Sequence, residues 1–507
     1  MKILFATFAP FAQGAAGPTS ELASARYRVL IPAHGLARLG HQVQLASLPA
    51  GGWPKAVVDA DCDVLVISKS FHAENEALAR AMKGRGKRVV VDLCDDHFAH
   101  PRFGPHLRAL VDLADQVVAA TPAMAESIRR NTGRDALVVT DPVEGPRGAP
   151  RFAPKFPVLR VVWFGHPSNA GGVAEKSAEL ARLAAAQPVQ LLLVTASFPQ
   201  LPNILASLNA LAPGRLAVQA VAWSTDATWR ALDEADLAWI PVASAGDRAM
   251  KSPNRLLESL WAGRLVVADE VPSYAPFADV TPVGVPLADA VHAALADPAA
   301  VEAKIAAAQR RIAATHSPYE CARAWARALG DTAERPLRLN LGCGDKILPG
   351  YVNVDVVEAR AGMRPDVICD LHDLAPFDDG SADEILSVHV VEHFWRWEVR
   401  DILREWTRVL KPGGRMVIEC PNLESACRTF LEDPVQFSRE DQSGQRTMWV
   451  FYGDPAWEDP LMIHRWGYTP ESLKRLLSDV GLAEVRQEPA QFKLREPRDM
   501  RIVGVKK

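Results

Sequence analysis

The chain has no C-x-x-C pair, no apolar run near the length of a membrane span and no run of Lys and Arg. Its seven cysteines, Cys62, Cys94, Cys321, Cys343, Cys369, Cys420 and Cys427, are scattered and odd in number. That suits a reducing cytosol and argues against a zinc knuckle, so no metal site is expected and the protein is placed in the cytoplasm. Without roughly 20 consecutive apolar residues no spanning helix forms, and any membrane contact would be peripheral. A formal net charge of -4 with no strongly basic face gives no electrostatic reason to expect nucleic acid. Aromatic residues are sparse at 7%, yet 48% hydrophobic and 23% charged residues are ordinary for a globular protein. At 507 residues the chain is too long for one core, and about three domains are expected.

The first 150 residues alternate strand and helix. Ile3 to Ala12 could pass for a signal-peptide core but reads as an amino-terminal strand, Lys2 to Phe8, and a glycine loop, because Arg26 and Arg28 follow in an apparent helix, Ser24 to Leu39, and not after a cleavage site. Pro10 to Pro18 reads as a flexible loop. Further strands are expected after Gly40 and at Cys62 to Ser68, Arg88 to Leu93 and Val138 to Val143, with a helix over Asn75 to Lys83. Three or more such units imply a right-handed, doubly wound parallel sheet, whose ligands bind at the carboxyl ends of its strands. Asp92-Leu-Cys-Asp95-Asp96-His97 ends one strand, and Asp96 and His97 are candidate catalytic groups there; the alternative is a helix-capping acid with a solvated neighbour.

Glu144 to Pro157 is a proline-rich linker, and a second α/β lobe runs to about residue 330 with strands at Leu159, Val189, Leu216 and Leu237. Its informative stretch is Asp247-Arg248-Ala-Met-Lys251-Ser-Pro-Asn254-Arg255-Leu-Leu-Glu258, followed by Gly263 and an apolar strand. Pro253 fits a first helical turn, so Lys251 and Ser252 lie at a helix start that favours an anionic phosphate, with Arg255 adding charge. Glu258 could receive ribose hydroxyls. This pattern resembles the nucleotide-sugar-binding part of GT-B glycosyltransferases of the retaining group, over about residues 1 to 329. The resemblance implies a nucleotide-sugar donor, held by Arg248, Lys251, Asn254, Arg255 and Glu258, and a glycan acceptor. It also implies closing helices, here Pro286 to Arg327, that return toward the first lobe. The family's upstream glutamate is not evident; Asp247 stands near its place.

The third region opens with Arg338-Leu-Asn-Leu-Gly342-Cys-Gly344-Asp-Lys-Ile-Leu-Pro-Gly-Tyr-Val-Asn-Val-Asp355, a buried strand, a glycine turn and a second strand ending in a carboxylate. The carboxylate is placed to accept from ribose hydroxyls. A third glycine and a following helix are lacking, which disfavours a nicotinamide dinucleotide. Downstream stand Asp366 to Phe377, Glu384 to His393 and Arg408 to Glu419. Their order resembles the class I S-adenosylmethionine-dependent methyltransferases over roughly residues 337 to 486. The resemblance implies that Gly342 and Gly344 pass under the methionine part of the cofactor, that Asp355 holds the ribose, and that Asp370 and Leu371 flank the adenine. Asn340 stands where many members carry an acid, and Asp345 replaces a glycine.

Methyl transfer to a hydroxyl needs a base, and His389, Glu392 and His393 follow a strand at the edge where an acceptor would enter; His464 is a further candidate. Each histidine has a structural alternative. Trp395, Trp397, Trp406, Trp449, Trp457 and Trp466 would suit sugar stacking or serve as core, and Phe451 to Pro460 reads as an acceptor lid.

The expected architecture is therefore α/β: a GT-B pair of Rossmann-like lobes, 1–150 and 151–330, then a class I methyltransferase domain, 335–507. The expected activity is glycosyl transfer joined to O-methylation of a glycan, in surface polysaccharide biosynthesis. Two alternatives stay open: a methyltransferase carrying a non-catalytic binding module, and a scaffold that binds S-adenosylmethionine. The sugar, the acceptor, the stereochemistry and the oligomeric state are not legible.

Overall fold

The computed structural model describes residues 1–14, 17–49, 52–154, 157–243, 252–331, 336–357, 359–435, 442–456, 458–492 and 498–507. The chain divides into two compact units, Met1–Thr332 and Ala333–Lys507.

Unit 1 holds two parallel sheets. The first contains β1 (Lys2–Thr7), β4 (Gln42–Ser47), β5 (Val64–Ser68), β6 (Arg88–Leu93), β7 (Gln116–Ala119) and β8 (Leu137–Val138), in the order β4-β1-β5-β6-β7-β8. Every neighbouring pair in it is parallel. The central strands are buried on both faces, which is why they read as unbroken Val, Leu and Ile runs. Within the stretch expected to be a loop, Ala12–Gly14 (β2) and Gly17–Thr19 (β3) pair as a two-stranded antiparallel sheet. Val138 to Val143 gives less strand than expected. Val139 keeps one ladder bond to Ala119, but its carbonyl turns away to accept from Arg28 Nη1 at 2.6 Å.

The helical segment Ala23–Arg38 contains a π-helical turn at Arg26–Leu30. Pro32 has no N–H to return to the Arg28 carbonyl, so the regular i→i−4 ladder is interrupted there.

The second sheet contains β9 (Leu159–Phe164), β10 (Val189–Thr195), β11 (Leu216–Ala222), β12 (Leu237–Ile240) and β13 (Leu265–Ala268), ordered β11-β10-β9-β12-β13 and parallel throughout. The proline-rich stretch after Glu144 packs against this lobe. A Cβ on Gly145 would strike the Trp229 ring, and one on Gly148 would lie 2.2 Å from the Ala262 carbonyl oxygen. Of the closing helices, Pro318–Ala328 returns to the first lobe, where Trp325 meets Phe5 edge-on at 5.7 Å between ring centroids. Two Rossmann-like lobes closed in this way form the GT-B arrangement.

Unit 2 is one mixed sheet of β14 (Arg338–Leu341), β15 (Val352–Asp355), β16 (Val367–Ile368), β17 (Ala382–Val388), β18 (Leu410–Pro421), β19 (Leu482–Glu488) and β20 (Asp499–Lys506). Its order is β16-β15-β14-β17-β18-β20-β19, with β20 antiparallel to both neighbours. The order reverses beside β14, so the loop after that strand opens at the switch point where such sheets take ligands. Phe451 and Tyr452, expected in a loop, belong to the helix Gln442–Tyr452. Among the described residues no helix is long and apolar enough to cross a membrane.

Candidate functional sites

In unit 1 a cavity of about 550 Å³ lies at the carboxyl ends of strands from both lobes. Lys69, Cys94 and Asp95 reach it from β5 and β6, Gly165 and His166 from β9, and Pro241 and Val242 from β12. This size suits a nucleotide-bearing ligand. The π turn brings Arg26, Tyr27 and Arg28 to the same wall.

Three of the cations there are already matched. Arg26 is paired with Glu144 at 2.8 Å and Lys69 with Asp95 at 2.7 Å. Arg28 is fully buried between Asp92 and Asp141, and Asp141 in turn accepts from Asn254 Nδ2 of the second lobe at 2.8 Å. Arg255 is different: its Nη1 is buried and has no hydrogen-bond partner among the described residues. It stands in the first turn of the helix Asn254–Trp261, where backbone N–H groups are not used within the helix.

Glu258, on the same helix, is 7% exposed. The Tyr27 hydroxyl lies between it and Glu144, bonded to both carboxylates, the Glu144 contact being 2.9 Å. One hydroxyl proton cannot serve two carboxylates. Burial and the neighbouring Glu144 charge push the Glu258 carboxyl up to about 8, against the pull of Arg26 and Arg255. The folded protein therefore holds a proton that the unfolded chain releases from about pH 4.5 upward. The stability it contributes is present below that pH and is lost as pH rises through about 8. Glu258→Gln should flatten this part of the melting temperature against pH profile, measured by calorimetry in parallel with the wild type.

The sequence-predicted residues separate in space. Asn254, Arg255 and Glu258 line the cavity. Arg248 and Lys251, with Asp247, lie outside the described residues. Asp96 and His97 do not line it. Asp96 bonds the Ser127 hydroxyl and the Phe98 N–H, and His97 packs between Phe71 and Phe103. Their neighbour Asp95 faces the cavity instead. The sequence marks neither Tyr27 nor Lys69, shows Glu144 only as the start of a linker, and shows Arg26 and Arg28 only as charges in a helix. The available signal was the Arg-Tyr-Arg triplet inside an otherwise apolar helix.

In unit 2 the glycine turn is tied to β15. Gly342 and Cys343 donate N–H to the Val354 carbonyl at 2.8 and 3.1 Å. Gly342 has φ +70°, and a Cβ there would lie 2.5 Å from a Val390 methyl, so only glycine fits. Asp355 accepts from the Gly344 N–H at 2.7 Å and the Val357 N–H at 3.1 Å. Asn340 donates to the Lys346 carbonyl and to Asn353 Oδ1, each at 2.9 Å, so the amide serves as a brace for the loop. Asp370 is exposed and paired with His372, while Leu371 is buried and its carbonyl accepts from Trp406 Nε1.

His389 follows β17 with φ +57°, a conformation a non-glycine residue seldom adopts. Its ring lies between two acids, Nδ1 at 3.2 Å from Glu392 and Nε2 at 3.4 Å from Asp499. His393 Nδ1 is 3.1 Å from the Ile463 carbonyl, and its ring meets His464 at 5.0 Å between centroids. Burial pushes the His393 imidazole below its ordinary range. Burial would raise the Glu392 carboxyl, but His389, His393 and His464 around it bring it down to about 2. Beside this cluster in the chain, Trp395 and Trp397 stack at 4.8 Å, Trp397 being 73% exposed, and Trp466 is exposed as well. Trp406 is core, and Trp457 lies outside the described residues.

Residues 350–418 match the family model described as a methyltransferase domain. No curated protein matches the chain. Solved structures similar in fold include Anabaena HepE in complex with UDP-glucose, at 15% identity over 65% of this chain and 99% of that one, TM-score 0.47. Others are AviGT4, a glycosyltransferase involved in avilamycin A biosynthesis (16% identity, 65% and 97% covered, TM-score 0.44), and the lipopolysaccharide outer core galactosyltransferase WaaB (14%, 66% and 100%, TM-score 0.44). At such scores the architecture rests on the strand orders and the closing helix of this chain rather than on its neighbours. The protein thus joins a two-lobed unit of GT-B architecture to a methyltransferase domain.

Proposed function

We propose that the protein is a bifunctional enzyme that transfers a sugar from a nucleotide donor and O-methylates a glycan with S-adenosylmethionine, in the cytoplasm, for surface polysaccharide biosynthesis. The observation that carries the methyl-transfer half is the methyltransferase-domain match over 350–418, which contains Asp355, Asp370, His389 and His393. The sugar-transfer half rests on Arg255, a buried guanidinium at a helix start with no hydrogen-bond partner among the described residues at Nη1, in a cavity of nucleotide size.

In unit 2 the residues fit the cofactor. A cradle kept open by Gly342 leads to a carboxylate at Asp355, and Leu371 offers an apolar wall beside Asp370. S-adenosylmethionine, when bound, supplies an activated methyl group. An acceptor hydroxyl would take that methyl while the sulfur–carbon bond pair stays on sulfur, so the protein must align the hydroxyl and receive its proton. His393 suits that role, because its Nδ1 faces a carbonyl and burial keeps the ring neutral with a lone pair on Nε2. His389, held between Glu392 and Asp499, would with Glu392 orient that base. Trp395, Trp397 and Trp466 offer stacking faces for a sugar ring. In unit 1 Arg255, with Arg248 and Lys251, balances charge on the leaving diphosphate, and Asn254 and Glu258 hold the donor.

A ligand panel on the full-length protein tests both halves. S-adenosylhomocysteine and at least one nucleoside diphosphate should each raise the melting temperature. His393→Ala should keep the first shift and lose roughly 100-fold or more of methyl transfer to glycan. A shift with S-adenosylhomocysteine alone would reduce unit 1 to a binding module, and no shift with either would remove the reading.

A further inference from the structure

We propose that Glu392, His393 and His464 form a binding site for one divalent transition-metal ion of the zinc class, although the sequence alone offered no metal motif. One donor atom from each residue lies within 4.8 Å of the others. Two imidazoles and a carboxylate are the ligand set of zinc sites that keep a fourth position open, whereas magnesium and calcium prefer oxygen throughout.

The hydrogen bonds around the cluster prepare it for a cation. His393 Nδ1 lies 3.1 Å from the Ile463 carbonyl and His464 Nδ1 3.0 Å from the Val450 carbonyl. A carbonyl can only accept, so each Nδ1 carries the proton and each Nε2 presents its lone pair. That is the tautomer a metal-bound histidine takes, with its second nitrogen anchored to an outer acceptor. His464 Nε2 accordingly faces Glu392, 3.9 Å from Oε1, too far for a hydrogen bond and ample for an ion between them.

Glu392 is the second, independent sign. It is 2% exposed, and among the described residues neither carboxylate oxygen has a hydrogen bond of good geometry, His389 Nδ1 lying beside Oε1 at 3.2 Å as an ion pair. A buried carboxylate ordinarily collects several donors. Its backbone is held in place, because the Arg465 and Trp466 N–H groups donate to the Glu392 carbonyl at 2.7 and 3.2 Å. These bonds fix the 3₁₀ turn Val391–His393 against the segment carrying His464, so the spacing of the three ligands is set by main chain. His393 and His464 are only partly buried, which leaves a way in from solvent.

The ion's role, unlike its binding, rests on the methyl-transfer reading: an acceptor hydroxyl in the open position would be acidified by the metal and lose its proton to water, with His393 then a ligand. Its oxygen would still take the methyl group as the sulfur–carbon bond breaks.

The test uses full-length protein stripped with a chelator and dialysed. Zn²⁺ titrated by calorimetry should bind with one equivalent, and Co²⁺ should give the visible bands of a four-coordinate site. Glu392→Gln and His464→Gln should each weaken Zn²⁺ binding by about 100-fold or more, the loss of a direct ligand exceeding the 10- to 100-fold of an outer partner. Circular dichroism and the S-adenosylhomocysteine melting shift report whether each variant is folded; His464→Gln, at a partly exposed position, serves if the buried substitution does not fold. Equal Zn²⁺ affinity in the wild type and a folded variant, or no stoichiometric binding by the wild type, overturns the proposal. Zn²⁺ binding without any response to S-adenosylhomocysteine would leave the metal site standing and sink the methyl-transfer reading instead.

Discussion

Asp355→Ala should weaken S-adenosylhomocysteine binding by roughly two orders of magnitude, measured by titration calorimetry, while leaving the thermal unfolding of unit 1 unmoved. The carboxylate ends β15 and accepts two backbone N–H bonds, from Gly344 and Val357, that draw the glycine turn toward the strand end. Hydrogen bonds to a charged acceptor contribute about 1.5–3 kcal/mol each. Removing the acceptor releases the turn and deletes the group that would receive the ribose hydroxyls, so both the preorganisation and a direct contact are lost. Asp355→Asn should fall between, because an amide oxygen still accepts one N–H but carries no charge. Equal affinities in wild type and Asp355→Ala would place the cofactor elsewhere in the sheet.

Arg28→Ala should lower the stability of unit 1 by about 3–5 kcal/mol, the range for stranding a buried charge. Arg28 is fully buried, and its guanidinium serves Asp92, Asp141 and the Val139 carbonyl together. Alanine would leave two buried carboxylates with their principal counter-charge gone. Asp141 also bonds Asn254, so the loss reaches the helix that lines the cavity in the second lobe. Arg28 further lies over the Trp325 ring, 5.3 Å from its centroid, on the helix that returns from the second lobe. Calorimetry of the full chain should show the drop in the transition that Asp355→Ala does not move. Adding Asp92→Asn and Asp141→Asn should restore part of it, since the uncompensated charge is then removed rather than exposed. A drop under about 1 kcal/mol would mean that water reaches this pair.

The two substitutions separate what was legible from what was not. Asp355 could be found from the chain alone, because it closes an apolar run 13 residues after Gly342 and both features depend on local backbone demands. The same holds for Glu258, three residues after Arg255 on one helical face. In the sequence Arg28 reads only as a charge within an apparent helix. Its two acids come from residues 64 and 113 positions away in sequence, and no local pattern encodes a pairing at that range. Pro32 marks a break in the helical ladder locally, but which partners the π turn aims Arg28 at is set only by the fold.

Strand and helix periodicity, glycine turns and the order of motifs determined the α/β class, the two Rossmann-like lobes and the methyltransferase-like last domain, because each reports a local requirement of backbone and burial. Tertiary structure alone decided which polar groups meet. It put Asp95 rather than Asp96 and His97 in the cleft, set Tyr27 between Glu144 and Glu258, and brought His464 to Glu392 and His393 from some 70 residues away. Charges and proton affinities follow from distance and burial in space, and a linear chain specifies those only through the fold.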